Sequence, residues 1–93
     1  MLLVYIEVRL RSEWCRSLKD KRSAVKPLLS RLHQRFNVSA VEAGSQDNHA
    51  IIELAIAALA FNAAQADGIA EHLYTFVESA TEAEILDWSV EYR

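Results

Sequence analysis

The sequence predicts an α+β sandwich of order β-α-β-β-α-β, and three observations carry that prediction. Residues 2–11 and 85–92 alternate apolar and polar positions with the period of a strand, and a ten-residue apolar run lies between them. Two other segments repeat apolar residues at the three- and four-residue spacing of a helix. Residues with cap and turn chemistry fall at the junctions.

In Leu2 to Arg11, Val4, Ile6, Val8 and Leu10 share one face, and Leu3, Tyr5, Glu7, Arg9 and Arg11 share the other. Such alternation, rich in branched residues, reads as a half-buried strand. Ser12 to Arg16 forms a loop. Ser17-Leu18-Lys19-Asp20 then fits a capping box, with Ser17 as N-cap and Asp20 returning to the Ser17 backbone N–H. The helix that follows carries Val25, Leu28, Leu29, Leu32 and Phe36 as one apolar stripe. Pro27 lies inside it and predicts a kink or a delayed helix start, because it removes a hydrogen bond and crowds the turn before it.

Asn37 to Ala43 reads as a second strand, closed by the turn-rich Gly44-Ser45-Gln46-Asp47-Asn48. Ala50 to Ala60 is ambiguous: its alanines favour helix, but Ile52, Leu54, Ile56 and Ala58 alternate with Ile51, Glu53, Ala55 and Ala57. Asn62 followed by Gln65 starts a fresh helix, so the run before it is assigned as a strand buried nearly all round. Ala63 to Ser79 buries Ala66, Ile69, Ala70, Leu73, Phe76, Val77 and Ala80, and Gly68 weakens it. Ile85 to Tyr92 closes the fold with Leu86, Trp88, Val90 and Tyr92 inward. Right-handed crossovers in this order leave the ferredoxin-like arrangement, a four-stranded antiparallel sheet with both helices on one face.

Ninety-three residues suit one domain, and 52% apolar with 25% charged residues is globular rather than disordered. A lone cysteine, Cys15, excludes an internal disulfide framework. The apolar opening is followed, not preceded, by its positive charges, and no apolar run approaches the ~20 residues of a membrane helix. The expectation is a cytoplasmic protein with no membrane attachment.

The net charge of −3 hides a strong asymmetry. Residues 1–35 hold nine bases against three acids, leaving +6, and residues 36–93 hold Arg93 alone against ten acids, leaving −9. Arg16, Lys19, Lys21, Arg22 and Lys26 crowd the start of the first helix, where unpaired N–H groups already attract anions. These five are the candidate anion- or nucleic-acid-binding residues; a solvated basic helix end is the competing reading.

The sheet face left uncovered is the second candidate. Leu3, Tyr5, Arg9 and Arg11 from the first strand and Ile51 and Glu53 from the third make an interface-like surface. One aromatic among bases is a rudimentary stacking platform, whereas sheet readers of RNA carry two or three on their central strands. Homodimerisation fits this composition better.

His33, His49, His72 and Cys15 show no metal-ligand spacing, and no cofactor motif is present. Trp14 is expected as a lid on the core and Trp88 within it. Cys15 has no paired base and reads as a bystander thiol. Acylphosphatases share the element order and hold acyl phosphates with a loop arginine and an asparagine, roles that Arg16 and Asn37 offer. Their glycine-rich phosphate loop is missing, since no Gly precedes Gly44.

Ser17-Leu18-Lys19-Asp20-Lys21-Arg22, Phe36-Asn37-Val38-Ser39, Val41-Glu42 and Gln46-Asp47 together resemble the YlxP-like uncharacterised bacterial family, domain-of-unknown-function family 503. The resemblance covers nearly the whole chain and implies a ferredoxin-like fold. Genes of that family often lie beside those for transcription elongation, translation initiation and 30S maturation factors, which implies a ribosome- or RNA-linked role and no assigned catalysis. The alanine-rich third strand and Trp14-Cys15 depart from the family's pattern.

Three functions follow as expectations: a non-enzymatic module for structured RNA or a 30S ribosomal particle, a protein-interaction or homodimerisation module, and, remotely, an acylphosphatase-like hydrolase. The ligand, the oligomeric state and the role of the Gln46-Asp47 turn are not legible in the sequence.

Overall fold

The computed structural model describes residues 1–93. Its elements are β1 (Leu2–Arg11), α1 (Leu18–Arg35), β2 (Ser39–Gly44), β3 (Ile51–Ala60), α2 (Ala63–Ala80) and β4 (Glu84–Tyr92). The strands form one sheet in the order β2-β3-β1-β4, every neighbouring pair antiparallel. This is the ferredoxin-like arrangement, with α1 packed beside β2 and α2 over β1, β3 and β4.

Both helices begin with the same device. Ser17 Oγ accepts from the Asp20 N–H at 3.1 Å, and Asn62 Oδ1 accepts from the Gln65 N–H at 2.9 Å. The reciprocal bond, however, reaches one residue further back than the capping box predicts: Asp20 Oδ2 accepts from the Arg16 N–H, and Gln65 Oε1 from the Phe61 N–H. Each cap thereby fixes the loop residue that leads into its helix.

α1 runs unbroken from Leu18 through Pro27, so its start is not delayed. Pro27 lies on the solvent side, and so does Ser23, whose carbonyl loses its helical partner there, so the loss falls on the exposed face of the helix rather than in the core.

The alanine-rich run is a strand because it is central. All ten residues of β3 pair with β1, and its Glu53–Ala57 half also pairs with β2. Two ladders outweigh the helical preference of its alanines. Its inner residues Ile52, Leu54, Ile56 and Ala58 are buried, while Ala55 and Ala57 on the other face are only half-buried. That corrects the expectation of a strand enclosed nearly all round: the sheet has one open face.

Val4, Ile6, Val8 and Leu10 join that inner face and meet Val25, Leu28 and Leu32 of α1 and Ala66, Ala70, Leu73 and Val77 of α2. β4 departs from simple alternation. Arg9 opposes Asp87 but Leu10 opposes Ile85, so Leu86 is a bulge and Ile85, not Leu86, packs on the core. Trp88 is half-buried against that core, edge-on to Tyr74 of α2 with ring centroids 5.0 Å apart.

Candidate nucleic-acid interface

The five clustered bases divide on folding. Lys19, Arg22 and Lys26 stand at i, i+3 and i+7, one stripe along the outside of α1, and Arg16 leads into it; all four are exposed. None is within salt-bridge distance of a carboxylate. The nearest acid in sequence, Asp20, accepts from the Arg16 backbone N–H at the cap.

Lys21 points the other way, and the sequence assignment is corrected here. It belongs to the buried stripe of α1 with Val25, Leu28 and Leu32, and its residue is 2% exposed. Its ammonium lies 2.9 Å from Glu42 Oε2 and donates to the carbonyls of Ser45 at 2.6 Å and Asn48 at 2.9 Å. With two carbonyls bonded, a carboxylate alongside and the residue buried, the ammonium is withheld from an external anion. The Glu42 contact is an ion pair without hydrogen-bond alignment.

Lys21 therefore ties α1 to β2 and to the turn after it. The same turn is held by Asn48 Oδ1, which accepts from the Ala50 N–H at 2.9 Å, and by His49 Nδ1, 2.9 Å from the Cys15 carbonyl. Ser45 takes a left-handed backbone at φ 52°, and its hydroxyl donates to Glu53 Oε2 at 2.8 Å. At neighbouring Gly44 an added Cβ would meet the Glu53 carboxylate, which would have to swing aside.

The open sheet face is mixed in sign. Arg9 pairs with Glu53 at 3.6 Å and sits across from Asp87; Arg11 sits across from Glu84. A depression of about 320 Å³ lies among Tyr5, Glu7, Arg9, Ala43, Glu53 and Asp87. Arg93 lies over the Tyr5 ring at 4.7 Å and bonds Glu91 at 3.0 Å. One ring face is thus already covered, and the acids outnumber the bases, which argues against base stacking there. The hydrogen bond from Arg93 holds the Glu91 carboxyl below its ordinary pKa. Partial desolvation, reinforced by Glu7, raises the Tyr5 phenol above its own. An apolar lane crosses the same face: Leu3 opposes Leu59, with Ala57, Ala55 and Val41 alongside and Ile51 at the far end.

The remaining sequence candidates separate. Trp14 is 44% exposed and lines a depression with Asp20, Ala24, Thr81 and Glu82, so it covers a surface cleft rather than the core. Cys15 is buried, 2.8 Å from the Ser12 hydroxyl. Arg16 and Asn37 stand at opposite ends of the 18-residue α1, about 27 Å of helix apart, and cannot hold one acyl phosphate between them. No three His, Cys, Asp or Glu side chains converge in metal-binding geometry, and no helix is long and apolar enough to cross a membrane.

The molecule is thus a ferredoxin-like domain with a cationic outer helix and an open, acid-rich sheet face. The chain belongs to the family described as protein of unknown function, DUF503, which matches residues 3–90. It is also 35% identical over 68 residues to the uncharacterized protein YlxP of Bacillus subtilis (strain 168), covering 73% of this chain and 74% of that protein. In this fold the distinctive residues converge: the helix-start motif supplies Lys21, Val41-Glu42 supplies its counter-charge, and Gln46-Asp47 lies between the two carbonyls it holds.

Proposed function

We propose that this chain is a non-enzymatic, cytoplasmic binding module that docks structured RNA, free or in a 30S ribosomal particle, through the outer face of α1. One observation carries the reading. Arg16, Lys19, Arg22 and Lys26 are exposed on one side without a carboxylate partner, in a protein that has ten acids after residue 35. Three unneutralised cations along α1, with Arg16 at its entrance, offer a cationic face that phosphates can contact. The acid-rich sheet face would repel RNA, so the contact is oriented.

Association with 30S particles and ribosomal RNA fragments across a salt series tests this. Four phosphate contacts predict a log–log slope of about −3, at roughly −0.7 to −0.9 per contact. Lys19→Glu with Arg22→Glu should abolish binding. Salt-independent binding, or binding unchanged in that variant, refutes the proposal.

A second reading, homodimerisation through the sheet face, is favoured by the apolar lane, where Val41 is 53% and Leu59 65% exposed. Arg9 and Arg11 share that face with Glu7, Glu53 and Asp87, a mixed pattern that a second copy related by a two-fold axis can complement. Mass measurement at rising concentration tests it, with Leu59→Lys as the disrupting variant; a monomer throughout rejects it.

A further inference from the structure

The helix layer holds a concave site that neither reading uses. Between α1 and α2 lies a groove of about 550 Å³ lined by Arg31, Arg35, His72, Thr75 and Ser79 around Phe36 and Phe76. Its size is that of a small-ligand pocket. No carboxylate lines it.

Each wall is set by helix periodicity. Arg31 and Arg35 are one turn apart on the flank of α1 that faces α2, while His72, Thr75 and Ser79 recur at i, i+3 and i+7 on α2. Phe36 and Phe76 meet edge-to-face at 5.3 Å and pack against the core, giving the groove a fixed apolar lining. The guanidiniums are positioned but not neutralised. Arg35 lies 5.6 Å from the Phe76 centroid, and Arg31 donates once, at 3.3 Å, to the Ala80 carbonyl at the end of α2. Neither forms an ion pair, and most of their N–H donors stay free.

We propose that this groove binds a nucleotide-type phosphate monoester, its phosphate between Arg31 and Arg35 and its ring against Phe36, the Phe76 ring being already covered by Arg35. Two guanidiniums offer the forked donors that phosphate oxygens accept. Thr75 adds a neutral donor on the facing wall, while the Ser79 hydroxyl donates to the Phe76 carbonyl at 3.1 Å. The site is independent of the RNA proposal, because Lys19, Arg22 and Lys26 do not line it.

Titration of the full chain with AMP, adenosine and inorganic phosphate, followed by amide shifts in NMR, tests this. AMP should bind at submillimolar concentration, more tightly than adenosine or phosphate, with the shifts on Arg31–Phe36 and His72–Ala80. Arg35→Gln should weaken AMP about 10- to 100-fold, the worth of a charge-assisted pair. Should Arg35→Gln unfold, the Thr75→Val variant serves, since that position is exposed, and it should also lose affinity. Lys19→Glu with Arg22→Glu should leave AMP binding within about twofold, as expected for a site beyond their direct reach. Three results each overturn the proposal: no saturable shift with millimolar AMP, equal affinity in both groove variants, or equal weakening by the α1 stripe variant.

Discussion

Replacing Lys21 by Met distinguishes a structural lysine from a ligand-binding one. The substitution keeps the buried stem but removes the charge and three donors, leaving Glu42 and the carbonyls of Ser45 and Asn48 without their partner. Deleting one member of a fully buried ion pair costs about 3–5 kcal/mol, because the other charge is stranded. Here the Glu42 side chain is 24% exposed and Asn48 lies on the surface, so water relieves part of that loss. We therefore expect about 2–4 kcal/mol, which in a domain of this size lowers Tm by roughly 10–25 °C. Urea unfolding followed by circular dichroism measures it. Adding Glu42→Leu should recover most of the loss, since an apolar pair can replace a buried ion pair nearly neutrally. Lys19→Met should stay within about 0.5 kcal/mol of the parent. The reasoning fails if Lys21→Met costs under about 0.5 kcal/mol or if the second substitution compounds the loss.

Three further outcomes are expected. Gly44→Ala should cost about 1 kcal/mol by displacing Glu53 from Ser45, and the cost should vanish in a Glu53→Ala background, which a double-mutant cycle reads directly. Asn62→Ala removes the α2 cap and should lower stability by about 1 kcal/mol in urea. Tyr92 donates to Asp67 Oδ1, and that hydrogen bond raises its pKa, as desolvation raises that of Tyr5. Spectrophotometric titration should show both phenols ionising later than in the unfolded chain. A raised pKa means that stability is present below the unfolded value near 10 and falls as pH rises through the folded values; Asp67→Asn should return Tyr92 toward the ordinary range.

Much of the fold was legible because period and burial coincide. Val4, Ile6, Val8 and Leu10 alternate in sequence and are buried in the sheet, and Ser17 and Asn62 cap the helices they precede. The bulge at Leu86 was not legible, since a single inserted residue leaves alternation intact on either side of it. Lys21 was misassigned by grouping charges along the chain when the helix distributes them around it. Its spacing from Val25, Leu28 and Leu32 places it on the apolar stripe, and Glu42 follows Ala40 on the inner face of β2. Both signals were present, and together they specify the pair. The interhelical groove was out of reach, because its two walls are 40 residues apart in sequence and only packing brings them together.

The charge asymmetry gains a direction from the sheet order. α1 packs beside β2 at one edge of the sheet, and β4 forms the other edge. Had the split served internal pairing, the acids after residue 35 would sit against the bases before it. Only two such pairs form, Lys21 with Glu42 and Arg9 with Glu53. Of the other acids, Asp67, Glu71 and Glu78 lie on α2, Glu84, Asp87 and Glu91 on β4, Asp47 in the turn after β2 and Glu82 in the loop before β4 beside Ser23 and Ala24, with Asp67 engaged by Tyr92 and Glu91 by Arg93. The outer stripe of α1 is left positive at one edge while Glu84, Asp87 and Glu91 keep the opposite edge negative. Under the RNA docking proposed above, a field so divided would orient a diffusing polyanion toward α1 and turn the rest of the molecule away from it, the acids contributing to orientation as directly as the bases. Neutralising Glu84 and Asp87 should then strengthen non-specific RNA binding while blunting the difference between correct and incorrect sites, an effect that removal of α1 cations cannot mimic.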